Sequence, residues 1–157
     1  MSSWPDAWCD LDADLRAGRG RPALVEAGAM GVEALVAALS AVVDQVVSVG
    51  QRLTQAQEMP SISDLLDDIS GSTLLLDIDV LFAPAFKVDV LSQICHMVRG
   101  RSLVVLWPGR IQGGRLSYSS PGRDDYVDVL ARDVIVLDPV ATQFPDEVPY
   151  LLERFPA

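Results

Sequence analysis

The chain of 157 residues contains one lysine, one histidine and two cysteines, and each scarcity removes a class of chemistry. The lone lysine, Lys87, stands far in sequence from the one segment laid out like a phosphate-binding loop. Cys9 and Cys95 are too few and too separated for a disulfide framework, and no second Cys or His falls at metal-ligand spacing, so no metal centre is expected. His96 beside Cys95 lies in a helical pattern with Asp89 as the nearby acid, and ordinary packing is the reading preferred over a thiol–imidazole pair. Cations are also few: 12 Lys and Arg face 22 Asp and Glu, for a formal net charge of −10. An electrostatic grip on nucleic acid or on an anionic membrane is therefore not expected. No hydrophobic run approaches the roughly 20 residues of a membrane span. Residues 1–6 show neither the basic start nor the apolar centre of a signal peptide, so a cytoplasmic location is the expectation.

What is present is apolar. Half of the residues are hydrophobic, enough for one core, and a single domain spanning 1–157 is expected. Trp4, Trp8, Leu11 and Leu15 recur at helical spacing, predicting a helix over about 4–17, followed by the cluster Arg16, Arg19 and Arg21, read as a solvated loop. Ala23-Leu24-Val25 reads as a buried strand. Val32, Leu35, Val36, Leu39, Val42, Val43, Val46 and Val49 then form a stripe at i, i+3, i+4 and i+7, which predicts one long helix from Val32 to about Gln57. A short acidic helix over 64–69, closed by Gly71, should precede an apolar strand from Thr73 to Ile78. A helix from Phe86 to Arg99 and a strand from Ser102 to Trp107 follow. Strands apolar on both faces and alternating with helices indicate a mostly parallel α/β sheet in a three-layer core. After Trp107 the pattern changes. Gly113-Gly114 between Arg110-Ile111-Gln112 and Arg115-Leu116-Ser117-Tyr118 predicts an appended two-residue β-hairpin, within an insertion over about 110–126. Val134 to Leu137 returns as a strand, and the Pro-containing tail over about 138–157 is expected to hold a short helix near Val148 to Arg154.

Strand, small-residue loop and helix, in that order over residues 23–32, are the layout of a Walker A site. With Gly31 as the motif's second glycine, Glu26 stands where its first glycine belongs, Val32 where its lysine belongs and Glu33 where its Mg²⁺-holding Ser or Thr belongs, while Gly28 lies inside the loop. A phosphate loop works through backbone N–H groups, that lysine and that hydroxyl. A like-charge contact at 4 Å costs on the order of 4 kcal/mol at an effective dielectric of about 20. A hydrogen bond to a charged group returns roughly 1.5–3 kcal/mol. Two carboxylates at the loop ends should therefore outweigh its N–H groups. Leu74-Leu75-Leu76-Asp77-Ile78-Asp79 has the form of a Walker B strand, with Asp77 and Asp79 expected on one face of it. The turn Trp107-Pro108-Gly109 offers no polar side chain to sense a γ-phosphate.

The string Leu75-Leu76-Asp77-Ile78-Asp79-Val80-Leu81-Phe82-Ala83-Pro84, then Lys87 and Asp89, then Arg101 to Gly109, then Gly113 to Tyr118 and Pro121-Gly122-Arg123-Asp124-Asp125-Tyr126, resembles the BrxF family, the small P-loop proteins of type-3 BREX anti-phage defence systems. The resemblance runs from about Ala23 to Leu137, with Glu26, Val32 and Glu33 departing from the family's P-loop. It implies a P-loop-NTPase-like core and partners that include a large ATPase, a DNA methyltransferase and an alkaline-phosphatase-like protein. The expectation is a non-catalytic accessory subunit without a resident cofactor, working through protein–protein contacts, with self-association left open. The alternative is a nucleotide-binding switch or ATPase, taking ATP and Mg²⁺ through Asp77 and Asp79 and completed by a partner's cation. Trp107, Arg110, Arg115, Tyr118, Arg123 and Tyr126 are the candidate partner-binding residues, although the aromatics read equally well as core.

Overall fold

A six-stranded sheet with strand order β2-β3-β4-β1-β8-β9 organises the molecule. Its strands are β1 (Ala23–Glu26), β2 (Gln45–Ser48), β3 (Ser72–Leu76), β4 (Ser102–Trp107), β8 (Val134–Leu137) and β9 (Leu151–Phe155). The first five run parallel, and β9 pairs antiparallel with β8. A second, antiparallel sheet is built from β5 (Arg110–Gln112), β6 (Arg115–Tyr118) and β7 (Val127–Leu130). Among the described residues, two helices have full bounds, α1 (Val32–Val42) and α2 (Val49–Gln55), and a 3-10 segment spans Ile78–Phe82. The computed structural model describes residues 13, 22–29, 31–55, 71–82, 94, 102–131 and 134–137, and the backbone of 151–155.

Alternation along the central strands builds two apolar layers. Ala23 and Val25 of β1, Leu74 of β3, Val104 of β4 and Ile135 and Leu137 of β8 meet Leu35 and Leu39 of α1 on one face. Leu24, Leu75, Leu103, Val105, Trp107 and Val134 point to the other, where Ile78, Leu81 and Phe82 of the 3-10 segment and Leu116 of β6 cover them. A strand buried on both sides cannot alternate apolar with polar. This is why these segments read as continuous hydrophobic runs. The second sheet thus packs as part of the core, through Ile111, Leu116, Tyr118, Val127 and Val129.

The long helix expected from Val32 to about Gln57 is instead a helix, a strand and a second helix. At Val43 the backbone turns extended, with φ −76° and ψ 157°, and β2 pairs in parallel with β3 from Gln45↔Thr73 to Ser48↔Leu76. A reciprocal clamp sets that register. Asp44 N–H donates to Ser72 O and to Ser72 Oγ, each at 3.0 Å, and Ser72 N–H donates to Asp44 Oδ2 at 3.0 Å. Val42, Val43, Val46, Val47 and Val49 fit helical spacing, but β-branched residues also suit a pleated strand, and pairing with β3 decides between the two. The consequence is an exchange of faces: Val47 is buried and Val46 is 43% exposed.

Other expectations hold or shift by smaller amounts. The Ser102 to Trp107 and Val134 to Leu137 strands stand as expected. The hairpin also stands, with φ +56° at Gly113 and +76° at Gly114. A two-residue turn matched to the strand twist needs positive φ at both central residues, which glycine supplies at little cost. The insertion extends further than expected, because Val127–Leu130 adds a third strand whose Val127-Asp128-Val129 alternation was its signal. The tail helix near Val148 to Arg154 is corrected to β9, which closes the β8 edge. Of the helices expected over 4–17 and 86–99, only Ala13 and Ile94 are described, and both are helical. The helix over 64–69, Arg16, Arg19 and Arg21, and Lys87, Asp89, Cys95 and His96 lie outside the described residues.

Gly109 joins the two sheets by close approach: a Cβ there would overlap the Ser117 carbonyl. A Cβ on Gly28, by contrast, meets nothing within 4 Å. In urea unfolding, Gly109→Ala should cost about 2–3 kcal/mol through forced separation of β5 and β6 from β4. Gly28→Ala should stay within about 0.5 kcal/mol of wild type. Equal effects at the two positions would contradict the described seating of the second sheet.

Candidate functional site

The C-terminal edge of the parallel sheet gathers the loop after β1, the turn after β4 and the end of β3. Ala27 N–H donates to Trp107 O at 2.8 Å and so ties the β1 loop to the tip of β4. Glu26 closes β1 and is partly buried. Its Oε1 accepts the Ile111 N–H at 2.9 Å, so the carboxylate holds β5. The carboxylate at the first-glycine position of the phosphate-loop layout therefore also anchors the second sheet, a role that its position in the sequence did not suggest.

The loop itself is folded inward. Ala29 N–H donates to Glu26 O at 3.0 Å, and Val32 N–H donates to Ala29 O at 3.2 Å. Two donors that would have to face a phosphate are thus satisfied inside the loop. Gly31 caps α1 at φ +83° without a side-chain hydrogen bond, and Glu33 lies exposed in the first helical turn. Val32 packs partly against the α1 layer, where a lysine would reach outward.

Asp77 and Asp79 do not share a strand face, because β3 ends at Leu76. Asp77 adopts φ +57°, and its Oδ2 accepts the Ser48 hydroxyl at 2.6 Å. Ser48 Oγ in turn accepts Gln51 N–H at 3.2 Å, capping α2. Asp79 lies in the first turn of the 3-10 segment and faces Tyr118, whose phenol is pushed above its ordinary pKa first by burial and then by the Asp79 charge. The two carboxylates expected to act together are thereby committed to different neighbours. The left-handed backbone at Asp77 interrupts the strand, and the 3-10 segment that follows takes Asp79 off the strand face.

Aromatic stacking supports the same corner. Phe82 sits between Trp107, with ring centroids 5.3 Å apart, and Tyr118, at 4.9 Å. Trp107 is 1% exposed and its Nε1–H donates to Ser117 O at 3.0 Å. Trp107 is therefore a core residue rather than a partner-binding one. The remaining candidates on the second sheet are near the surface. Arg115 Nε pairs with Asp128 Oδ1 at 2.9 Å, and Tyr126 O–H donates to Asp128 Oδ2 at 3.2 Å. Arg123 Nε stands 3.6 Å from Asp125 Oδ1, which also accepts the Ser119 hydroxyl at 2.7 Å. The Arg115 hydrogen bond holds the Asp128 carboxyl below its ordinary pKa, and the Ser119 hydroxyl does the same for Asp125. Such exposed pairs order side chains more than they stabilise the fold.

A cavity of about 460 Å³ opens at this corner, lined by Glu26, Gly28, Gly109, Arg110, Ser117 and Tyr118 among others. Sequence reasoning found Glu26, Gly28, Arg110 and Tyr118 but put them in two separate groups. It missed Ser117, since only the register of β5 on β6 brings that residue beside Arg110. Among the described residues, no group of three or more His, Cys, Asp or Glu is placed to hold a metal ion, and no helix is long and apolar enough to cross a membrane. Comparison of the chain with protein-family models, with curated proteins and with solved structures gave no match.

Glu26→Ala should leave the Ile111 N–H without an acceptor and destabilise by roughly 1–3 kcal/mol, whereas Glu26→Gln keeps an acceptor oxygen and should lose less. Denaturant midpoints together with amide exchange at Ile111 check the ordering. A second expectation concerns the phenols. In ultraviolet pH titration Tyr118 and Tyr126 should ionise above the ordinary value of 10.0, each component vanishing in the matching Tyr→Phe variant. Because the folded form holds the neutral phenol, the stability it contributes is present below the unfolded pKa and is lost as pH rises through the folded one.

Proposed function

We propose that the protein is a P-loop-like α/β subunit that has given up triphosphate chemistry and works through protein–protein contacts, as an accessory component of a BREX-type anti-phage assembly. The observation that carries the first half is the Glu26 carboxylate bonded to Ile111 N–H. Where a phosphate loop needs a glycine and a free crevice, this chain holds a charged side chain that fastens a second sheet. The inward bonds of Ala29 and Val32 N–H support the same reading. So does Asp77, whose oxygen is engaged by Ser48 rather than presented beside the loop.

The second half rests on the sequence resemblance and on the surface of the second sheet. Tyr126 and Leu130 are 38% and 50% exposed and flank Asp128 with its Arg115 partner. Exposed aromatic, leucine and arginine side chains on a sheet fixed to the core suit a preorganised docking surface.

The isolated protein should show no calorimetric Mg²⁺–ATP binding at about 1 mM nucleotide and no hydrolysis. Co-expressed with the large ATPase, the methyltransferase and the alkaline-phosphatase-like protein of such a system, it should co-migrate with at least one of them in size exclusion. The combined change Tyr126→Ala and Leu130→Ala should reduce that association about tenfold or more. Saturable ATP binding that Glu33→Ala leaves intact would overturn the loss of triphosphate chemistry. Absence of co-migration with all three partners would overturn the assembly role.

A further inference from the structure

Four residues from three separate stretches, Glu26, Gly28, Arg110 and Tyr118, line the cavity at the C-terminal edge. The cavity lies where the outgoing connections of two adjacent strands diverge. From β1 the chain passes through α1 to β2 at one edge of the sheet, while from β4 it passes through the second sheet to β8 on the far side of β1. Open α/β sheets bind small ligands in such a crevice, because strand ends there point at a gap that no crossover covers.

The wall carries groups of both signs. Glu26 spends Oε1 on Ile111 N–H, and no bond to its second oxygen is found among the described residues. Tyr118 lines the same cavity, and the Asp79 charge lies close to its phenol. Arg110 is exposed, and its guanidinium has no side-chain partner among the described residues. The Gly28 N–H has no acceptor among them either, and the space beside its Cα is open. A carboxylate, a guanidinium and a backbone donor lining one cavity suit a ligand that carries both charges. A polyphosphate is disfavoured by Glu26 and Asp79. An apolar ligand would strand the polar groups of the wall.

We propose that this cavity binds a small peptide-like zwitterion, its ammonium on Glu26 and its carboxylate on Arg110 and Gly28 N–H. The two sources of that chemistry are free amino acids and short peptides, and the cavity volume admits either. The site does not depend on the assembly role proposed above, since its walls belong to the isolated chain.

The test is calorimetric titration of the purified full chain with glycine, leucine, phenylalanine, glutamate, arginine and glycyl-leucine, each beside its N-acetylated and its C-amidated form. At least one zwitterion is expected to bind with Kd below about 1 mM. Masking either terminus, or introducing Arg110→Gln or Glu26→Gln, should weaken it about tenfold or more. Preference for the dipeptide over all five amino acids assigns the peptide source, and the reverse assigns the free amino acid. The proposal is overturned if no zwitterion binds at about 10 mM, if a masked form binds as tightly, or if both variants, shown folded by circular dichroism, bind like wild type. Binding without partner co-migration would leave this site standing and remove the assembly role, and co-migration without binding would do the opposite.

Discussion

One hydrogen bond, from Ile111 N–H to the Glu26 carboxylate, decides what the edge of this sheet can be. A carboxylate that is partly buried loses hydration, and an amide donor offsets that loss only while β5 stays in place. The bond therefore couples the last residue of β1 to the first strand of the second sheet. Trp107 adds a parallel tie from the neighbouring strand through its indole N–H to Ser117 O. Together they make the crevice a junction between two sheets. A nucleotide-binding loop needs the opposite arrangement, with an uncharged backbone around an open cup.

How far the sequence reveals this depends on the range of the interaction involved. Continuous apolar runs at Ser102 to Trp107 and Val134 to Leu137 can be recognised because burial on both faces leaves no other composition. The Gly113-Gly114 hairpin is equally legible, since its turn chemistry is local. The β2 segment is not, because its fate is set by Ser72, a residue 28 positions from Asp44. Valines spaced for a helix are also valines suited to a strand, and no local rule separates the two. The edge strand β9 escapes for the same reason, its order coming from pairing with β8.

The candidate site shows the same division. Glu26, Val32 and Glu33 stand out against a phosphate-loop template, and their chemistry is wrong for phosphate whatever the fold. What they do instead depends on the arrival of β5 and on a left-handed turn at Asp77, neither of which a linear spacing reports. The expected sharing of one strand face by Asp77 and Asp79 fails because it assumes three further residues of strand after Leu76. A single positive φ sends one carboxylate to Ser48 and the other toward Tyr118.

The clamp between Asp44 and Ser72 also has a meaning in time. A four-residue strand has no stability without a neighbour, and β2 has only β3. Until the chain through Ser72 has been synthesised and has closed a long loop, the segment after Val42 has nothing to pair with, while its helical spacing is already complete. The segment that ends as helix, strand and helix thus begins with only local preferences to follow. Among the described strands, the β2–β3 edge is nevertheless the first pair the growing chain can complete, because β1 finds its partners only when residues 102–107 and 134–137 have followed.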